Sequence, residues 1–423
     1  MLEAIVDIRN VQNAFRQVTA NKGSAGIDGM STGELRDYLN SHWQTLRTSI
    51  LSGIYQPEAV RKVEIPKKSG GMRMLGIPTV VDRLLAQAIA QWLSPQYEGE
   101  FSRWSYGFRP GRNAHQAVEQ ARGYLNEGYT WIIELDLEKF FDRVNHDHLM
   151  GLLSKKVQDK GTLKLIRRYL NSGIMDNGIV SPRKEGTPQG SPLSPLLSNI
   201  VLHELDKELE KRGHRFVRYA DDCSIYVQSE KSAYRVKESI IRYIEETLKL
   251  PVNRQKTKVS RPTGSSLLGF SFYGRGKWQV RLSPSSVKSI KQKIRERTKR
   301  NHPGKLSQII GGMDTLIRGW VNYFRIARAG QLMVRLDEMI RLRLRMILWK
   351  QWKKAARRMR QLQQLGIRRE QAYQWSYCRK GYCRIAHSKV LCVSLNNEYF
   401  SKLKFTGFAN YYFWKTKHQT KLF

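Results

Sequence analysis

Two hydrophobic periods alternate along the chain. Apolar positions three to four residues apart predict helices over residues 10–18, 81–93, 194–213 and 236–250. In the third of these, Leu197, Ile200, Val201, Leu205 and Leu209 fall on one face. Ser194 is placed to cap it, Pro195 suits its first turn, and Gly213 stops it. The helix at 81–93 is expected to end at Ser94-Pro95. Ser31-Thr32-Gly33-Glu34 reads as the capped start of a helix through Leu39. Alternation at period two marks strands instead. RKVEIPKKSGGMRMLGIPT (61–79) predicts a hairpin turning at Ser69-Gly70-Gly71, with Pro66 pointing to an edge strand. WIIELDLEKFF (131–141) is a strand running into a turn or helix. FVRY and SIYV are strands on either side of Ala220-Asp221-Asp222, and VNRQKTKV and LLGFSFY are short strand candidates. From Ser286 onward the pattern is helical. RLRLR (341–345) alternates, but its neighbours Met339, Ile340, Ile347 and Leu348 favour helix. Gly23, Gly26 and Gly29 mark residues 21–31 as a loop. The order of elements is that of a mixed α/β chain with a helical end.

Charge divides this plan. The 423 residues, enough for two or three domains, carry a net charge of +38. From Arg281 onward there are 33 basic and only 6 acidic residues. A polyanion is the natural partner of such a chain, gripped mainly by its last third. A basic membrane-surface protein is the competing class, and no amphipathic basic tail or lipidation motif supports it. No run of 18 apolar residues predicts a span, and MLEAIVDIRN is no signal peptide. Cys223, Cys378, Cys383 and Cys392 are too few and too scattered for a disulfide framework, which suits a reducing, cytoplasmic compartment.

Against that basic background, three aspartates stand out. Asp136 follows an apolar strand, and Asp221 and Asp222 lie in a hairpin. Three carboxylates meeting at one sheet end are costly unless a cation holds them, and two Mg²⁺ ions there would suit phosphoryl transfer. An exposed Asp-Asp turn is the plain alternative. EGTPQGSPLSP (185–195) is a small-residue loop before a helix, where backbone can approach a nucleotide closely, and Gln189 brings both a donor and an acceptor.

Taken in order, IPKKSGGMRMLGIPTVVDR (65–83), YGFRPGRNAHQA (106–117), LDLEKFFDRVNHD (135–147), GTPQGSPLSPLLSNI (186–200), RYADD (218–222), LPVNRQKTKV (250–259) and LLGFSFY (267–273) resemble the successive blocks of group II intron-encoded reverse transcriptases and maturases. RGWVNYFR (318–325) and RLRLRMILWKQWK (341–353) resemble that family's thumb, or maturase X domain. The resemblance covers residues 5–360 well and the rest loosely. It implies a right-hand polymerase, with fingers and an antiparallel palm sheet in residues 1–276. A helical thumb is implied for 277–360 and a small basic DNA-binding-like segment for 361–423.

The resemblance also implies roles. Asp136 and Asp221 match the metal-binding aspartates, and Asp222 their neighbour, with two Mg²⁺ ions bound and Mn²⁺ able to substitute. Lys67 and Arg73 match contacts to the incoming triphosphate. Phe141, with Phe140 as fallback, matches the position that blocks a ribose 2′-hydroxyl. Gln189 matches the loop residue at the nucleotide, and Lys256 the lysine that protonates the leaving pyrophosphate. Leu268, Gly269 and Phe270 match the primer grip. Lys67 as a solvated turn residue and Phe141 as plain core are the bland readings. Ser191 replaces a usual glycine.

In the basic third, Arg318, Arg325, Lys350, Lys353, Lys354, Arg357 and Arg358 are the candidate nucleic-acid contacts. Trp320, Tyr323, Phe324, Trp349 and Trp352 lie among them, either stacking on bases or forming thumb core; for Trp320 and Phe324 core is favoured. Cys378, Cys383, His387 and Cys392 lack the spacing of a zinc site. The sequence shows no appended HNH endonuclease module. The expected partners are an RNA template, a DNA or RNA primer, dNTPs, group II intron RNA and target DNA, in a bacterial cytoplasm at the nucleoid or in a ribonucleoprotein. A non-polymerising splicing factor is the rival reading, as is a free-standing retron, CRISPR-associated or repair polymerase.

Overall fold

The computed structural model describes residues 1–66, 70–176, 178–183 and 185–419. Two compact units divide the chain, Met1–Pro262 and Thr263–Phe423. The first contains two sheets. Strands β1 (Val60–Pro66), β2 (Met72–Ile77), β3 (Trp131–Leu135), β4 (Ile174–Asp176), β5 (Ile179–Ser181), β6 (Arg215–Tyr219), β7 (Asp222–Val227) and β8 (Lys258–Ser260) order as β2-β1-β4-β5 and β6-β7-β3-β8. The second sheet is antiparallel throughout. Its middle strands β3 and β7 are short apolar runs, as they must be to sit between flanking strands and helices. Ile132, Ile133, Ile225 and Tyr226 are almost wholly buried there. Helices Ser194–Lys211 and Glu230–Glu246 bury apolar stripes in the same core, through Leu197, Leu205, Leu209, Ile240 and Ile244. Truncating one such leucine to alanine costs about 2–5 kcal/mol.

Several expectations need correction. The hairpin forms, with Arg61 opposite Ile77 and Pro66 opposite Met72, while Ser69 of its expected turn lies outside the described residues. β1 is not an edge strand, however: β4 pairs with it at Val60 and Arg61. Pro66 is tolerated because β4 stops well short of it, so no ladder donor is missed. Helix Val80–Glu98 runs through Pro95 rather than ending before it. Proline forfeits one ladder bond close to the helix end, and burial of Leu93 and Tyr97 holds the last turns in place. Ser194 does not cap its helix. Its hydroxyl donates to the Pro188 carbonyl at 2.8 Å, while Ser191 Oγ accepts from Leu193 N. Only the end of VNRQKTKV is strand: Asn253 Oδ1 accepts from Lys256 N and turns the chain first. The helix after Ser31 is Leu35–Leu51, much longer than the period suggested, and Ser31 donates to Glu34 from both N and Oγ.

The second unit opens with the hairpin β9 (Phe270–Tyr273) and β10 (Gln279–Leu282), followed by helices. Helix Gly330–Gln351 contains RLRLR, as its neighbours required. Ile340, Leu344, Ile347 and Trp349 are buried along it. Trp349 and Trp352 are 2% and 4% exposed, so they are core rather than stacking platforms. Phe324 is buried and half-buried Trp320 packs on it and on Phe408, which bears out the core reading for that pair. Among the described residues no helix is long and apolar enough to cross a membrane.

Candidate functional site

The antiparallel pairing of β3 with β7 places Leu135 opposite Cys223. One residue further along each strand in the same direction lie Asp136 and Asp222, so both stand at one end of the sheet. Asp221 occupies the two-residue turn between Tyr219 and Asp222, which pair with each other. Ala220, the other turn residue, adopts φ +57°, a left-handed conformation uncommon outside glycine. The backbone of Asp136 is fixed on both sides. Its N–H donates to Thr257 Oγ1 at 3.1 Å and its carbonyl accepts from Asn253 N at 2.8 Å. The same turn brings Lys256 Nζ to 3.4 Å from Asp136 Oδ2.

The surroundings of Asp221 and Asp222 disfavour their charged forms. Burial raises the Asp221 carboxyl above the usual range; Arg73 opposes this and Asp136 adds to it. Asp222 rises to about 6, first from lost hydration at its carboxyl and then from Asp221, Asp136 and Glu134. The residue as a whole still reaches solvent. Crowded carboxylate oxygens open to solvent are the donor set of a hard divalent cation. Among the described residues no three acidic, histidine or cysteine side chains already stand at chelating distance.

Arg73 lies exposed on β2, opposite Ile65, within electrostatic reach of Asp221. Lys67, its expected companion, lies outside the described residues. The Gly186–Gly190 loop is stitched to two elements. Gly186 N donates to Val144 O at 2.8 Å and Thr187 N to Phe141 O at 2.6 Å. Gly76 N of β2 donates to Gln189 O at 2.9 Å. Gly190, at φ +129°, has no room for a Cβ against the Gly76 carbonyl. Buried His146 ties the loop further, with Nε2 2.7 Å from Gly186 O. Phe140 is 3% exposed, whereas Phe141 is half-buried beside this loop, so Phe141 is the ring with an open face.

The remaining candidates lie in the second unit. Leu268 and Gly269 adopt φ +52° and +83°, a turn that only glycine enters without cost. Tyr323 Oη donates to Leu268 O, Ser286 Oγ to Gly269 O, and Phe270 is fully buried against Phe324. Arg318 is exposed and paired with Asp314 at 2.6 Å, and half-buried Arg358 lies over the Trp349 ring. Lys353, Lys354 and Arg357 are exposed, and Arg325 and Lys350 are half-buried.

Sequence reading missed the layer beneath the turn. Arg218 is wholly buried and donates to both oxygens of Asp206, to Asn199 and to the Ala220 carbonyl. An arginine inside an apolar strand was the available signal, because such a group must find a carboxylate.

Residues 65–272 match the family described as reverse transcriptase (RNA-dependent DNA polymerase), and residues 287–366 match the group II intron maturase-specific domain. Protein YkfC of Escherichia coli is 32% identical over 314 residues, spanning 65% of this chain and 81% of that protein. The group II intron-encoded protein LtrA of Lactococcus lactis is 28% identical over 350 residues, with 67% of this chain aligned to 57% of that one. The retron Mx65 reverse transcriptase of Myxococcus xanthus is 30% identical over 260 residues, covering 56% of this chain and 54% of its own.

Proposed function

Since the chain belongs to the family of group II intron-encoded reverse transcriptases and maturases, we propose that it extends a DNA or RNA primer on an RNA template with dNTPs, and that it binds its parent intron RNA to assist splicing and retrohoming into target DNA. The carrying observation is the meeting of Asp136, Asp221 and Asp222 at one end of an antiparallel sheet. That acidic centre is intact, which favours a working polymerase over a splicing factor that merely keeps the fold. The maturase-specific match over residues 287–366 favours the intron family over a free-standing retron or repair enzyme.

Enzymes of this family depend on divalent cations. Two Mg²⁺ ions, with Mn²⁺ as substitute, would supply charge neutralisation at the attacking and leaving oxygens. The chain's own residues bind and orient. Arg73, with Lys67, pairs with the triphosphate, and its planar guanidinium suits two phosphate oxygens at once. Phe141 sets its open face against a ribose 2′-hydroxyl, and Gln189 lines the same pocket from the loop. Lys256 holds a proton at Nζ for the leaving pyrophosphate once it is released from Asp136. Fingers and palm correspond to residues 1–276, the thumb to 277–360 and a DNA-binding-like segment to 361–423. Leu268, Gly269 and Phe270 grip the primer. Lys353, Lys354 and Arg357 contact RNA phosphates, with Arg325 and Lys350 beside them. The protein works in the bacterial cytoplasm, bound to RNA or at the nucleoid.

Primer extension and intron splicing measured on one preparation test this reading. Asp221→Ala should abolish extension and leave RNA affinity and splicing near wild type. Extension retained by that variant overturns the site; loss of both activities points to a folding defect and removes its support.

A further inference from the structure

The hairpin that carries Asp221 rests on a closed polar layer that none of the assigned roles uses. Arg218 and Asp206 are both fully buried. Arg218 Nε and Nη2 donate to Asp206 Oδ1 and Oδ2 at 2.7 and 2.6 Å. That pairing leaves Nη1 pointing elsewhere: it donates to Asn199 Oδ1 at 2.9 Å and to the Ala220 carbonyl at 3.0 Å. Asn199 is wholly buried too, and its Nδ2 donates to Gly107 O at 2.9 Å. Gly107 in turn lies flat on the turn, where a Cβ would collide with the backbone of Ala220. The main chain of Arg218 is held by the same segment: its N–H donates to Trp104 O at 3.0 Å and its carbonyl accepts from Tyr106 N at 2.8 Å.

We propose that Arg218, through Asp206 and Asn199, is a positioning residue for the polymerase reaction: it clamps the Ala220 carbonyl and thereby fixes the carboxylate of Asp221. Three physical points carry this. The peptide that Arg218 holds is the one joining Ala220 to Asp221. Ala220 sits at φ +57°, a conformation that persists only when its surroundings over-determine it, and here a guanidinium below and a glycine alongside do so. Arginine is the one side chain whose planar fork can satisfy a carboxylate bidentately and still reach two further acceptors. A buried pair needed only for stability could be apolar instead, often at no loss.

The inference rests on the polymerase reading, so its test begins with wild-type protein. Two variants are compared: Asn199→Ala, which removes no charge, and the double variant Arg218→Met/Asp206→Leu, which replaces the pair by apolar groups of similar volume. Primer extension, dNTP KM, RNA affinity, thermal melting and Mn²⁺ binding by electron paramagnetic resonance are read on each. Misplacing a reacting group by about 1 Å costs about a hundredfold. The double variant should melt within a few degrees of wild type, lose about a hundredfold in kcat, and bind Mn²⁺ more weakly. Its dNTP KM and RNA affinity should stay near wild type. Asn199→Ala should lose about tenfold in kcat, in line with breaking one link of the same chain. Wild-type kcat and Mn²⁺ affinity in either folded variant overturns the proposal, and so does unfolding of both, which makes the layer simply core. Wild-type protein without primer extension sinks the polymerase reading instead.

Discussion

The layer beneath the Tyr219–Asp222 turn and the cleft above it treat acidic groups in opposite ways. Below, Asp206 has a permanent cationic partner within the chain and no contact with water. Above, Asp221 has long-range help from Arg73 and Arg218, and Asp136 a half-exposed pair with Lys256. One region spends its charge on shape; the other leaves its carboxylates crowded at a sheet end that reaches solvent. Changes below should therefore act on folding where they strand a buried charge, and on activity only through the placement of Asp221; changes above should act on activity directly.

The sharpest way to break this contrast is at Asp136. Asp136→Ala should lower primer extension by about a thousandfold or more while the melting temperature holds. A large fall in melting temperature instead would make Asp136 as structural as Asp206. Next is the reverse case. Asp206→Ala leaves a buried guanidinium unpaired, and chemical denaturation should report a loss of about 3–5 kcal/mol. A variant as stable as wild type would show the pair to be dispensable. Lys256→Ala should slow extension by about a hundredfold, the scale of a lost general acid, with a smaller loss for Lys256→Arg. Equal rates for the alanine and arginine variants would remove proton transfer from its role.

The smallest effect is one of pH. The folded Asp222 pKa, about 6, lies above the ordinary aspartate value of about 3.9. Between those values the folded chain holds more protons than the unfolded one, so this residue lowers stability as pH rises from about 4 to 6. Asp222→Asn should raise the melting temperature of metal-free protein at pH 8 and leave it unchanged below pH 4. Added Mg²⁺ should shrink the difference at pH 8. A constant offset at all pH values would mean that neither burial nor the neighbouring carboxylates raise the Asp222 pKa.

What the sequence disclosed depended on whether a signal was local. The hairpin around Asp221, the helix from Ser194 and the strand before Asp136 all announce themselves within a dozen residues, through period and turn chemistry. The ends of β1 and of helix Val80–Glu98 were less visible, because Pro66 and Pro95 are placed by what packs nearby: β4 stopping short in one case, Tyr97 being buried in the other. The partnership of Arg218 with Asp206 and Asn199 crosses from strand to helix and leaves no periodic trace. His146 reaching Gly186 is equally silent. Trp349 and Trp352 show a further limit: a basic-aromatic run reads alike whether its rings face RNA or the core, and only packing decides.

The loop from Gly186 to Gly190 has a practical consequence for engineering. It is bonded to Phe141 and Val144 on one side and to Gly76 on the other, so these segments form one module. A substitution at Phe141, the ring proposed to face the ribose, is expected to disturb the seat of Gln189 and the end of β2 as well. Libraries that vary these positions together should yield working variants that single-site scans discard, because each change alone arrives without its compensating neighbour.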